Sequence, residues 1–182
     1  MNDIAKRDVL YEAPAADALT VRHEGDIDIY SPAGSSGPLP AVVIVAGYRD
    51  EGFLQFVGCR FKEMQSVVSW ARLIAASGLN AITYTNRDPA ADVFTVLRVV
   101  RETISPSIGV WASSGNVPVA LSTLGEVKCA ALCYGYMLDA EDAAATYKFA
   151  NPCAGRTIDD LRADVPTCRC SLPERVAMRA RD

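Results

Sequence analysis

The sequence predicts an α/β fold, with a mostly parallel sheet and helices on both faces. Three observations carry this reading. Ala41-Val42-Val43-Ile44-Val45-Ala46 is a continuous apolar, β-branched run without polar alternation, the pattern of a strand buried on both faces. Apolar runs of this kind then alternate with segments of helical spacing. Residues 108–116, IGVWASSGN, read as a short strand running into a sharp turn with a serine at its tip.

The elements follow in order. Residues 19–31 alternate apolar and polar side chains around Glu24-Gly25, which predicts a β-hairpin. Residues 32–40, PAGSSGPLP, are a loop by composition. The strand at 41–46 ends at Gly47-Tyr48-Arg49-Asp50. Over 62–77 a stripe of Val67, Trp70, Ala71, Ile74 and Ala75 predicts a helix, closed by Gly78. Asn80–Thr85 is the next strand. Asp88 then caps a helix with Pro89 at its first position, running to about Ile104. The strand 108–112 leads into the serine turn. A helix to about Leu124 follows, and Val127–Tyr134 is expected to be another buried strand. Right-handed crossovers would join the parallel strands.

Composition narrows the classes. The 182 residues are 50% hydrophobic and 22% charged, with net charge −4, as in an ordinary globular domain. No basic stripe points to nucleic acid. No apolar run approaches membrane-span length, and MNDIAKRDVLYEAP lacks the apolar core of a signal peptide. A soluble, cytoplasmic protein is expected. The six cysteines, including Cys129, Cys133 and the Cys168/Cys170 pair, form no paired metal-binding cluster. They read as buried or incidental free thiols.

Two serines compete for the tip of the turn. The residues two before and two after the nucleophile must be small, because the backbone folds tightly there. For Ser114 they are Ala112 and Asn116; for Ser113 they are Trp111 and Gly115. Trp111 would be crowded, so Ser114 is the candidate. Pro118 falls in the first turn of the following helix, where its missing N–H costs little. A nucleophile here would stand at the carboxyl edge of the sheet, with the Gly115 N–H aimed at the developing oxyanion. A second donor is expected from Gly47 or Tyr48, at the end of the earlier strand. Alone, a Ser-x-Gly turn after a strand is equally what a helix cap offers.

The segments DIDIYSP, VAGYRD, SWARLIAASGLNAITYTNRDPAAD, IGVWASSGNVPVALS and VKCAALCYGYMLD together resemble bacterial α/β-hydrolases of the dienelactone-hydrolase and carboxylesterase type. The resemblance covers most of residues 19–166, in the family's order. It implies an eight-stranded, mostly parallel sheet and a Ser–His–acid triad acting on an ester or lactone of a small carboxylic acid. By the same resemblance Ser114 matches the nucleophile, Gly115 one oxyanion donor, and Gly47-Tyr48 the other. The chemistry calls for no cofactor and no metal, and the partner implied is a small-molecule substrate.

The departures from that family are as informative. Ala112 and Asn116 stand where the family usually has glycine. Its acid and histidine should lie beyond Pro166, and neither is found there. The single histidine, His23, falls on the N-terminal hairpin and reads as a surface residue. Asp139, Glu141 and Asp142 read as a solvated loop and helix start, Asp159-Asp160 as a cap or turn, and Arg49 and Asp50, beside the oxyanion loop, as surface charge rather than pocket lining. The expected organisation is an N-terminal segment over 1–18, a partial α/β-hydrolase domain over 19–166 and a tail over 167–182. The tail, TCRCSLPERVAMRARD, has no β-branched run. Permitted codons for it, read two bases later, encode a hydrophobic strand and an acid-bearing loop. A change of reading frame near Thr167 is therefore expected, leaving a truncated hydrolase with an incomplete triad. The alternative is a non-catalytic hydrolase-like module that binds a small acyl ligand or a partner protein.

Overall fold

A computed structural model describes residues 19–35 and 37–133. Segment 1–18, the part of the expected domain from residue 134 onward, and the tail with its expected frame change lie outside the described residues. Six strands form one sheet in the order β1-β2-β4-β3-β5-β6. They are β1 (Leu19–Glu24), β2 (Ile27–Pro32), β3 (Ala41–Ile44), β4 (Asn80–Tyr84), β5 (Ile108–Ser113) and β6 (Cys129–Cys133). The β1/β2 hairpin is antiparallel, and β2 pairs antiparallel with β4. From β4 to β6 every pairing is parallel. This is the α/β architecture that the sequence predicts.

Helix α1 (Asp50–Phe56) follows β3, α2 (Gln65–Ala76) leads into β4, α3 (Pro89–Thr103) joins β4 to β5, and α4 (Val117–Leu121) follows β5. Right-handed crossovers in opposite directions from β4 put α2 on one face and α3 with α4 on the other. Helix α2 buries Val67, Ala71 and Ala75, and α3 buries Val93, Val96, Leu97 and Val100. Between them lie Ile29, Ile44, Ile82 and Ile108, all fully buried. Trp70 of α2 and Trp111 of β5 stack with ring centroids 4.9 Å apart. Asp88 caps α3, its carboxylate accepting the Ala90 N–H at 3.2 Å.

Four local expectations change. The helix expected from residue 62 starts at Gln65, because Met64 is extended and a 3-10 turn, Phe61–Glu63, precedes it. Helix α1 is absent from the sequence reading; it has seven residues, contains Gly52 and carries no side-chain cap. Helix α4 stops at Leu121. Ser122 and Thr123 there turn their hydroxyls back onto Val119 O and Ala120 O at 2.6 and 2.7 Å, a local bond that competes with helix propagation. Strand β6 starts at Cys129 rather than Val127 and is not buried over its described residues: Cys129 and Leu132 are exposed, and Tyr134 lies outside the described residues. It forms the outer strand of the described sheet.

Chain order reverses at β3, which has β4 on one side and β5 on the other. Crevices that receive ligands in open α/β sheets form at the carboxyl ends of strands at such a reversal.

Candidate active site

Strands β3 and β5 are paired from Ala41↔Ile108 to Ile44↔Trp111, and the Val45 N–H donates to Trp111 O at 2.9 Å. The two strands therefore end side by side. At the end of β5 the chain must leave the sheet and enter α4 almost at once. It does so through a 3-10 turn, Ser114–Asn116. Ser113 is still extended, at φ −137° and ψ 154°. Ser114 takes φ +54°, the single non-glycine residue with positive φ among the described residues. A side chain held in that region costs about 1–3 kcal/mol and persists only where its surroundings over-determine it. Ser114 is exposed, whereas Gly115 and Asn116 are buried.

The loop after β3 packs directly on this turn. A Cβ on Gly47 would stand 2.8 Å from both Asn116 Cα and Gly115 O, so only glycine fits. A Cβ on Gly115 would overlap the Tyr48 phenol, with Cζ at 2.7 Å and Cε2 at 2.9 Å. The Tyr48 ring is held in turn against Phe53, edge to face, at 6.0 Å between centroids. Thus the Gly47-Tyr48 loop packs on the turn that carries Ser114 and Gly115. The Gly47 N–H donates to Asn116 Oδ1 at 2.7 Å, so in this structure Asn116 occupies that donor. Asn116 Nδ2 donates to Ser113 O at 3.0 Å.

Buried polar residues hold the loop from the β4 side. Asn86, fully buried, donates through Nδ2 to Ala46 O at 2.9 Å and Tyr48 O at 3.0 Å. The Asp50 carboxylate accepts the Asn86 N–H at 2.7 Å and the Phe61 N–H at 3.1 Å. The Asp50 N–H donates to Asn86 O at 2.8 Å. Asp50 is only 6% exposed, which corrects its reading as surface charge: two backbone donors compensate its desolvation. Arg49 is exposed. The Tyr84 hydroxyl accepts the Ala46 N–H at 3.1 Å. Complete burial pushes that hydroxyl well above the ordinary tyrosine range, against the lowering effect of the Ala46 bond.

The sequence does not single out Asn86, Tyr84 or the structural part of Asp50. A signal existed. In a βαβ unit the end of β4 must lie beside the end of β3, so a polar residue just past β4 faces the loop after β3.

His23 lies elsewhere. Its Nδ1 is 2.7 Å from Asp28 Oδ1, across the β1/β2 hairpin. Strands β2, β4 and β3 separate β1 from β5. Four ladder spacings of about 4.8 Å make roughly 19 Å, far beyond hydrogen-bond reach of Ser114. Asp28 is also engaged by Lys62, with Nζ 3.1 Å from Oδ2. Asp139, Glu141, Asp142, Asp159 and Asp160 lie outside the described residues. No group of His, Cys, Asp and Glu among the described residues could hold a metal ion. No helix among them is long and apolar enough to cross a membrane. Cys129 is an exposed thiol, and Cys59 and Cys133 are half-buried.

No family model matches the sequence, and no curated protein matches it. Solved structures do. Brefeldin A esterase, described as a bacterial homologue of human hormone-sensitive lipase, superposes with a TM-score of 0.55 at 16% identity. The match covers 91% of this chain and 56% of that one. An esterase of Pyrococcus furiosus matches with a TM-score of 0.50 at 11% identity, over 87% of this chain and 71% of that one. The fold is that of the α/β-hydrolases. The chain spans little more than half the length of brefeldin A esterase.

Proposed function

We propose that this chain is of serine-hydrolase lineage, acting on carboxylic esters or lactones, with Ser114 as the nucleophile. The observation that carries the reading is the conformation of Ser114. It is an exposed serine in left-handed backbone, at a strand–turn–helix junction beside the chain reversal of an α/β-hydrolase sheet. Such strain belongs at sites where a side chain must be presented rather than packed.

In the proposed reaction Ser114 Oγ attacks the ester carbonyl and the carbonyl electron pair moves to oxygen. The Gly115 N–H and an N–H of the Gly47-Tyr48 loop stabilise that oxyanion. Gly47 reaches it only by leaving or sharing Asn116 Oδ1. The serine proton needs a base. The single histidine is bound to Asp28 on the far side of the sheet, so this sequence supports weak turnover or none. Loss of one triad member costs several orders of magnitude, while oxyanion stabilisation leaves a residue of catalysis. A dienelactone-hydrolase-like specificity for lactones of small acids belongs to the same proposal, and rests on the sequence resemblance alone.

A fluorophosphonate probe tests the reading. Slow labelling is expected at Ser114, lost in Ser114→Ala and kept in His23→Ala. A folded chain that takes no label supports a second reading, a non-catalytic module that binds a small acyl ligand or a partner protein. The engagement of His23 by Asp28 favours that alternative.

A further inference from the structure

We infer that Asn86 is a positioning residue for the oxyanion loop, and that Asp50 acts through it; the inference rests on the nucleophile reading of Ser114. Both protons of one amide nitrogen are used on carbonyls two residues apart, Ala46 O at 2.9 Å and Tyr48 O at 3.0 Å. A trans peptide is planar, with its C=O and N–H pointing in opposite directions. By drawing the Ala46 carbonyl toward β4, Asn86 turns the Gly47 N–H the other way, toward the serine turn. That is where the N–H is found, 2.7 Å from Asn116 Oδ1.

Asn86 is itself fixed. Its backbone N–H is taken by Asp50 Oδ2 and its carbonyl by the Asp50 N–H. The other carboxylate oxygen holds Phe61 N–H. Asp50 begins α1 and Asn86 follows β4, so this ring of bonds fastens a loop between two elements of the fold. None of these groups touches a substrate carbonyl. Their effect is on the direction of the Gly47 donor, which then has only to exchange Asn116 Oδ1 for the oxyanion rather than turn its peptide.

The test compares phosphonylation of Ser114 in the wild-type chain, Asn86→Asp, Asp50→Asn and a remote core control, Val93→Ala. Asn86→Asp keeps shape but opposes two carbonyls with an acceptor. It should lower the maximal labelling rate by about tenfold or more while the probe concentration at half-saturation stays within about twofold. The Gly47 amide should shift in 1H–15N spectra. Asp50→Asn, which keeps the Asn86 side chain, should give a smaller loss in the same direction and serves if Asn86→Asp does not fold. Val93→Ala should melt earlier and label at the wild-type rate. Wild-type labelling with unchanged rates in both loop variants overturns the positioning role alone. So does an equal loss in Val93→Ala. A folded wild-type chain that takes no label overturns the nucleophile reading and this inference with it.

Discussion

Gly47 and Asn116 are joined by a 2.7 Å hydrogen bond from a backbone amide to a side-chain oxygen, across 69 residues of chain. The loop after β3 and the turn after β5 are therefore one hydrogen-bonded unit. Asn116→Ala should leave the buried Gly47 N–H without its acceptor and release Ser113 O as well. A loss of about 1–3 kcal/mol is expected, read as a lower urea midpoint with unchanged slope. Asn116→Asp keeps the acceptor toward Gly47 and should recover part of that loss.

Tyr84 ties the start of the same loop to β4. Tyr84→Phe removes the hydroxyl that accepts the Ala46 N–H at 3.1 Å while leaving a fully buried ring in place. The orphaned amide should cost about 1–3 kcal/mol. The ring packing is conserved, so the loss should appear in equilibrium unfolding without a change in the near-ultraviolet signature of Trp70 and Trp111.

Far from the serine, Lys62 and Asp28 form a pair whose side chains are 10% and 11% exposed. Each keeps a second partner, Asp28 in His23 at 2.7 Å and Lys62 in the Asp26 carbonyl at 3.4 Å, so removing one strands the other only in part. Asp28→Leu should cost up to about 3–5 kcal/mol, the range for a broken buried pair. Adding Lys62→Met should restore much of it, since an apolar pair of similar volume avoids the desolvation of both charges. A double-mutant cycle in urea measures this directly.

Asp26 and Arg87 make a two-pronged pair at 2.7 and 2.8 Å. The Arg87 guanidinium holds the Asp26 carboxyl below its ordinary value of 3.8, against a small desolvation. A depressed carboxylate adds stability above its unfolded value and loses it as pH falls through the folded one. Arg87→Gln should therefore melt slightly below wild type at neutral pH. The gap should close as pH drops below about 4. Both groups are exposed, so salt should shrink the gap as well.

Much of this architecture is legible in the sequence. The continuous β-branched run at 41–46 and the cap at Asp88-Pro89 act locally, and local chemistry survives folding. The crowding argument over Trp111 and Ala112 selects Ser114 for the turn, and the positive φ falls on that residue. What was not legible is relational. Asp50 looks like surface charge until Phe61 and Asn86 are brought to it. Asn116 looks like an imperfect small residue until Gly47 arrives opposite its side chain. Strand β6 reads as buried from composition, because the outer place it takes among the described strands cannot be seen in KCAALCYGY.

The central claim is that Ser114 is a presented nucleophile, and peptide mapping after fluorophosphonate treatment tests it most directly. The account predicts a slow, single adduct on Ser114 that is absent from Ser114→Ala. An adduct on Ser113 instead, or no adduct on a chain that melts cooperatively, contradicts it.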